Sequence, residues 1–100
     1  MTLRQRSPVT KSAKYLKWIR TLPCCICNNP YQTEAAHIRS GSLEYGKEPC
    51  GMQERNDSWV TPLCNRHHRE QHESNELEWW ESKGQNPFEL AKWYWEMRPH

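Results

Sequence analysis

The chain has 100 residues, of which 26% are charged and 35% are hydrophobic, and its formal net charge is +2. A chain of this length forms one small domain whose core needs reinforcement, and a bound metal ion is a common form of it. The chain contains neither a long apolar run nor a signal-peptide pattern, so we expect no membrane segment and a cytoplasmic location.

Positive charge is concentrated in the first 22 residues, which contain no acidic residue and leave a net negative remainder. A basic segment on a mildly acidic body predicts a polyanionic partner. Residues 1–9 have no apolar period and contain Ser7-Pro8, so we predict a flexible basic arm there. The alternative for this arm is a tail that only improves solubility.

An amphipathic helix is predicted after Thr10 or Ser12, either of which can cap it, and Pro23 ends it. Its apolar stripe consists of Tyr15, Trp18, Ile19 and Leu22, at positions i, i+3, i+4 and i+7. The basic residues predicted to contact nucleic-acid phosphates here are Lys11, Lys14, Lys17 and Arg20.

Two pairs of potential metal ligands are separated by a long insertion. Cys24 and Cys27 have two residues between them, and so do Cys64 and His67. This spacing is typical of zinc ligands, and cysteines of a reducing compartment more often bind metal than form disulfides. We therefore predict a structural Zn²⁺ site of three cysteines and one histidine. Cys25 is assigned to packing.

Cys50 lies in a polar stretch and is interpreted as a free thiol, the alternative being a metal ligand. His68 and His72 are four residues apart, which on a helix places both rings on one face. These two histidines are therefore candidates for sharing a second metal ion.

Residues 33–39 alternate like a strand, with Ala35, His37 and Arg39 on one side. Residues 40–57 are predicted to form a long loop, and residues 59–63 a second strand that Pro62 limits to a sheet edge. A helix is predicted from Cys64 to about residue 73. Two strands are unstable alone, so hairpin, helix and zinc should stabilise one another.

The last third is predicted to be helical. Ser74 or Asn75 caps a first helix that ends at Gly84, and Asn86-Pro87 begins a second one. Leu77 and Trp80 are core candidates in the first helix, as are Leu90, Trp93, Tyr94 and Met97 in the second. Trp79 and Trp95 lie off the apolar stripe, and each is a candidate for an exposed contact with a partner or nucleic acid.

These motifs together resemble the HNH nuclease superfamily. The likeness rests on their order: Cys24-x-x-Cys27, Ala36-His37-Ile38, a long loop, and Pro62-Leu63-Cys64-x-x-His67-His68-x-x-x-His72. It covers residues 22–73, with weaker similarity to about residue 91. Gly51-Met52, Asp57-Ser58-Trp59 and residues 84–90 are similar to small phage HNH proteins, including the recombination-enhancement nucleases.

The resemblance implies a role for each matching residue. His37 matches the general base, and an imidazole suits this role because it is largely neutral at cellular pH. His68 and His72 match ligands of one catalytic divalent ion, which would be Mg²⁺, Mn²⁺ or Zn²⁺. Arg39, on the strand face of His37, is expected to hold a phosphate oxygen.

Two positions depart from the family pattern. Many members carry a further metal ligand directly before the base, where this chain has Ala36. Glu34, on the same strand face as Ala36, is one candidate to replace this metal ligand, and water or a substrate phosphate is another. The middle asparagine has no clear match: we assign its role to Asn56, the alternative being that Asp57 braces the loop by accepting backbone hydrogen bonds.

We therefore expect an α+β fold: a zinc-stabilised ββα-metal core at residues 22–73 with an N-terminal basic helix and a helical extension at residues 74–98. Residues 10–100 form one domain. The expected function is a phage or prophage endonuclease that cleaves DNA with low sequence specificity, with RNA as an alternative substrate. The rival interpretation is a non-catalytic zinc module that binds nucleic acid or protein.

Overall fold

The computed structural model describes residues 10–49 and 56–99. The predicted basic arm and Cys50 lie outside these ranges. The described elements are α1 (Ala13–Ile19), β1 (Thr33–His37), β2 (Val60–Cys64), α2 (Asn65–Glu73), α3 (Glu76–Ser82) and α4 (Pro87–Met97). They confirm a small α+β fold. No helix in this part of the chain has the length and apolarity needed to cross a bilayer.

The two strands form an antiparallel hairpin in which Thr33 lies opposite Cys64 and His37 lies opposite Val60. Residues directly opposite each other in such a ladder point to the same face, and successive residues alternate between faces. One face therefore carries His37 and Val60, and the other carries Glu34 and Leu63. This alternation decides which helix each side chain can reach.

Pro62 lies inside β2 and does not interrupt it. The Pro62 carbonyl accepts a hydrogen bond from the Cys25 N–H at 3.0 Å, on the side of the strand away from β1. The N–H and C=O of one strand residue point the same way, so the missing proline N–H costs no ladder bond. All five residues of β2 are buried, because helices cover both faces of the hairpin.

Each face of the hairpin has its own core. Tyr15 and Ile19 of α1 pack on Val60, with Tyr94 and Trp95 of α4 against them. Ala36 and Leu63 of the other face belong to the larger cluster, which consists of Cys24, Ala36, Leu63, Trp79, Trp80 and Cys64, the last residue of β2. A third group, formed by Ile38, Phe88 and Ala91, joins the end of β1 to α4.

The caps of three helices follow from their local sequence. The Ser12 side chain accepts from the Tyr15 N–H, and the Asn75 side chain accepts from the Glu78 N–H. Asn86 accepts from two N–H groups and is followed by proline at the first helical position. Each cap satisfies backbone donors that have no partner within the helix.

Burial in the C-terminal helices differs from the expectation at four residues. Trp79 is 5% exposed, whereas Leu77, Trp93 and Met97 are 43%, 54% and 57% exposed. The buried face of α4 instead includes Phe88 and Ala91. Helical spacing alone permits both stripes, and the contact with Ile38 selects the one that is buried.

Candidate metal centre and histidine sites

Cys24, Cys27, Cys64 and His67 form one compact cluster, as the sequence predicted. Their ligand atoms all lie within 4.8 Å of one another. Cys27 Sγ is 3.9 Å from Cys64 Sγ, and His67 Nδ1 is 3.2 Å from Cys64 Sγ and 3.7 Å from Cys24 Sγ. Three sulfur atoms and one nitrogen therefore converge on a single point.

The separations fit a tetrahedral zinc site. With Zn–S bonds of about 2.3 Å and Zn–N bonds of about 2.0 Å, tetrahedral ligands are about 3.8 Å apart for two sulfurs and about 3.5 Å apart for sulfur and nitrogen. The distances from Cys64 Sγ to Cys27 Sγ and to His67 Nδ1, 3.9 and 3.2 Å, are close to these values. The cluster can hold a structural metal ion such as zinc, with no open ligand position.

Local hydrogen bonds shape the turn between the first two cysteines. The Cys24 carbonyl accepts from the Asn28 N–H at 2.8 Å, and the Ile26 N–H donates to Cys24 Sγ at 3.4 Å. Asn28 has φ 62°, in the left-handed region that asparagine tolerates better than most residues. Cys25 lies outside the cluster and packs against the core, as expected.

The electrostatics of the cluster favour a cation. Burial raises the pKa of Cys64, and negative charge on Cys24 raises it further. Burial and the neighbouring Arg66 lower the pKa of His67, which keeps its ring neutral. Neutral imidazole is the form that binds metal, and a central divalent ion would relieve the repulsion between neighbouring thiolates.

His68 and His72 share one face of α2, as their spacing predicted. Their ring centroids are 4.8 Å apart, and His68 Nδ1 is 2.7 Å from Glu34 Oε1. Glu34 is the residue that the sequence suggested as a replacement for the metal ligand that is missing at Ala36. These three side chains therefore meet on one side of the hairpin. Within residues 10–49 and 56–99, only the cysteine cluster brings three or more ligand atoms into a compact group.

His37 lies on the opposite face of the hairpin from Glu34, because the two positions differ by three along β1. Its side chain is 15% exposed, and its Nε2 atom is 2.8 Å from Asp57 Oδ1. Ala36, on the same face as Glu34, is 3% exposed. The structure thus places His37 with Asp57, and the two helix histidines with Glu34.

Asp57, not Asn56, is the residue that contacts His37. The Asn56 side chain instead accepts hydrogen bonds from the N–H and hydroxyl of Ser58, at 2.9 and 2.6 Å. Asp57 Oδ2 accepts from the Ser12 N–H at 2.9 Å, so its carboxylate also holds the start of α1. The alternative in which Asp57 braces the backbone is the one that this contact supports.

Burial alone would raise the pKa of Asp57, but hydrogen bonds from His37 and Ser12 and the charge of Lys11 lower it. Asp57 is therefore an ionised carboxylate in a buried position. A carboxylate facing one imidazole nitrogen favours the tautomer with its proton on that nitrogen. In His37 that nitrogen is Nε2, which leaves the lone pair on Nδ1.

Arg39 is paired with a buried carboxylate. Its Nε atom lies 3.6 Å from Glu76 Oε2, and its backbone N–H donates to the same carboxylate at 3.0 Å. The Ser40 N–H and the Gln71 side-chain amide donate to Glu76 as well, both at 2.8 Å. Glu76 thus joins the end of β1 to α2 and α3. Nothing in the sequence pattern near Glu76 indicated this role.

Replacing Glu76 with alanine should destabilise the fold by roughly 2–3 kcal/mol, because buried donors of Arg39, Ser40 and Gln71 lose their acceptor. Glu78→Ala, at an exposed position of the same helix, should change stability by less than about 0.5 kcal/mol. Urea unfolding of both variants measures the difference. Equal stabilities would contradict the role of Glu76.

The same contribution should depend on pH. Burial would raise the pKa of Glu76, but hydrogen bonds from Ser40 and Arg39 lower it. The stabilisation is therefore present above the unfolded pKa, about 4.3, and is lost as pH falls through the folded value. The difference in unfolding free energy between wild type and Glu76→Ala should accordingly persist near neutral pH and shrink below about pH 4.

The predicted phosphate-binding cations lie on or next to α1. Lys14, Lys17 and Arg20 are exposed. Lys11 is also exposed, with its Nζ atom 4.0 Å from Asp57 Oδ1. The basic helix is therefore connected, through Asp57, to His37. DNA binding by these residues stays a prediction.

Comparison with known proteins gives a family without an assigned activity. A family model described as a protein of unknown function, DUF968, matches residues 2–94. The uncharacterized protein YdfU of Escherichia coli K12 is 34% identical over 59 residues, which is 59% of this chain and 15% of that relative. The chain thus matches a small part of YdfU's length. No solved structure is significantly similar. Because the family model spans nearly the whole chain, the protein belongs to the DUF968 family.

Proposed function

We propose that the protein is a metal-dependent endonuclease that hydrolyses DNA phosphodiester bonds with low sequence specificity. The observation that carries the proposal is the 2.8 Å contact between His37 Nε2 and the buried Asp57 carboxylate. A carboxylate that fixes the orientation and tautomer of an imidazole is the arrangement a general base needs. His37 is also the residue that the HNH resemblance assigns to this role.

In this proposal His37 Nδ1 takes the proton from the water that attacks phosphorus. Asp57 stabilises the imidazolium that results. Arg39, held through Nε by Glu76, offers its terminal guanidinium nitrogens to a non-bridging phosphate oxygen. A divalent ion bound by His68 and His72 would polarise the phosphate and stabilise the leaving oxygen.

The hairpin constrains where the substrate can lie. His37 is the last residue of β1 and faces away from Glu34, which contacts His68. The two sites lie on opposite faces of the hairpin and three residues apart along β1, so in this proposal the substrate must contact both faces. The exposed cations of α1 would bind neighbouring phosphates, and this affinity should fall with salt.

The second candidate is a zinc module that binds nucleic acid or protein without catalysis. Ala36 favours it, because an apolar residue occupies the position where many HNH proteins carry a metal ligand. The compact cysteine cluster fits either candidate equally well. The two functions therefore differ in the histidine sites alone.

Supercoiled plasmid incubated with the purified protein and Mg²⁺ or Mn²⁺ separates the candidates. A nuclease should nick the plasmid. Excess chelator in the reaction buffer should stop the nicking by removing the catalytic ion, before the structural zinc is lost. His72→Ala should reduce nicking, whereas Glu73→Ala, the adjacent exposed residue, should not. Plasmid binding without nicking by any of these proteins supports the module, and parallel assays on RNA identify the substrate.

A further inference from the structure

An open groove lies between the turn at residues 42–47, α3 and the start of α4. Its volume is about 460 Å³, within the range of roughly 300–1,000 Å³ typical of ligand pockets. Tyr45, Trp80 and Phe88 contribute aromatic rings to it, and Leu77 contributes an aliphatic side chain. We call it the acidic groove, because Glu44 and Glu81 also line it.

The apolar part of the acidic groove is preformed. The rings of Tyr45 and Phe88 stack with centroids 5.6 Å apart, and Asn86 Nδ2 donates to the Tyr45 hydroxyl at 3.3 Å. Leu77 remains 43% exposed, although Trp79 and Trp80 of the same helix are buried. A partly exposed leucine beside aromatic side chains in one groove is typical of a binding surface.

The charge of the acidic groove is of one sign. Glu44 and Glu81 line it, and among the described residues no lysine, arginine or histidine does. Burial raises the pKa of Tyr45, and the negative charges of Glu89 and Glu44 raise it further. The groove therefore repels phosphate and attracts cations. It has no role in the nucleic-acid binding proposed above.

We propose that the acidic groove binds an arginine-bearing segment of a partner protein. A guanidinium is planar, so it can stack on the Tyr45 or Phe88 ring while its nitrogens reach the Glu44 or Glu81 carboxylate. Apolar residues flanking the arginine would cover Leu77. The groove volume accommodates such a segment, and its aromatic rings and two carboxylates match a planar, charged guanidinium.

A labelled peptide with arginine between two leucines, Gly-Leu-Arg-Leu-Gly, tests this proposal by fluorescence anisotropy. The citrulline peptide is its neutral isostere, and the glutamate peptide reverses the charge. The arginine peptide should bind saturably, the citrulline peptide about tenfold more weakly, and the glutamate peptide not at all. Absence of saturable binding by the arginine peptide, or equal binding of arginine and citrulline peptides, would overturn the proposal.

Protein variants locate the binding. The double variant Glu44→Gln with Glu81→Gln should bind the arginine peptide about tenfold more weakly than wild type. Glu78→Gln, in α3 but outside the groove, should bind it as wild type does. Gel filtration is the second readout. If the wild type self-associates and the double variant does not, the occupant is a second copy of the chain, and the proposal is wrong. None of these measurements depends on nuclease activity.

Discussion

Replacing Cys64 with serine should leave the chain without its metal and largely unfolded. Structural zinc sites contribute about 10–16 kcal/mol in small zinc-finger peptides, which equals or exceeds the total stability of about 5–15 kcal/mol of most domains. Cys64 ends β2, precedes α2 and points into the larger core cluster. Its sulfur therefore joins β2 and the start of α2 to the metal.

Zinc content by mass spectrometry and helix content by circular dichroism measure this effect. Cys25→Ser is the matched control, because Cys25 adjoins Cys24 but lies outside the cluster. It should keep one zinc per chain and lose at most about 2 kcal/mol from the core. A metal chelator should unfold the wild type as Cys64→Ser does. A Cys64→Ser protein that melts like wild type would show that the cluster does not maintain the fold.

The second large effect is expected for His37→Ala, which should reduce DNA cleavage by about 10²–10⁴-fold, the usual contribution of a general base. DNA affinity should change little, because the cations of α1 remain. Initial rates of plasmid nicking and filter binding measure the two quantities separately. Loss of both together would indicate a folding defect, which thermal unfolding of the variant would reveal.

The Asp57→Asn variant tests whether Asp57 acts on the His37 ring through its charge or only packs against it. The neutral amide keeps the size of the carboxylate but no longer stabilises an imidazolium at 2.8 Å. The cleavage rate should fall, and the acidic limb of its pH profile should move to lower pH, because protonation of His37 becomes harder. A lower rate with an unchanged profile would assign Asp57 to packing alone.

The burial of Glu76 and Trp79 shows why parts of the site could not be predicted. Trp79 lies off the apolar stripe that the sequence suggested, yet its Nε1 donates to Glu70 at 3.0 Å and its ring lies 6.2 Å from His67. Glu76 is one of several acidic residues around Asn75, and only the approach of β1 distinguishes it. Both depend on how α3 lies against α2 and the hairpin.

The opposite case is the metal cluster. Two pairs of ligands, each with its own short spacing, can be recognised without knowing the fold, because each pair is arranged by a local turn. The same holds for Ser12, Asn75 and Asn86, whose side chains bond backbone N–H groups two or three residues away. Local geometry requires no tertiary information.

By itself, then, the sequence determined the short-range features: the metal ligands, the Asn86 cap, two candidates for each of the other caps, and the shared helix face of His68 and His72. Tertiary structure alone decided that His37 faces Asp57, that Arg39 is paired with Glu76, and that α4 buries Phe88 instead of Trp93. The physical reason is sequence distance. Contacts between residues 20 to 50 positions apart form only when the whole hairpin and its helices pack together, and many pairings satisfy the same local pattern.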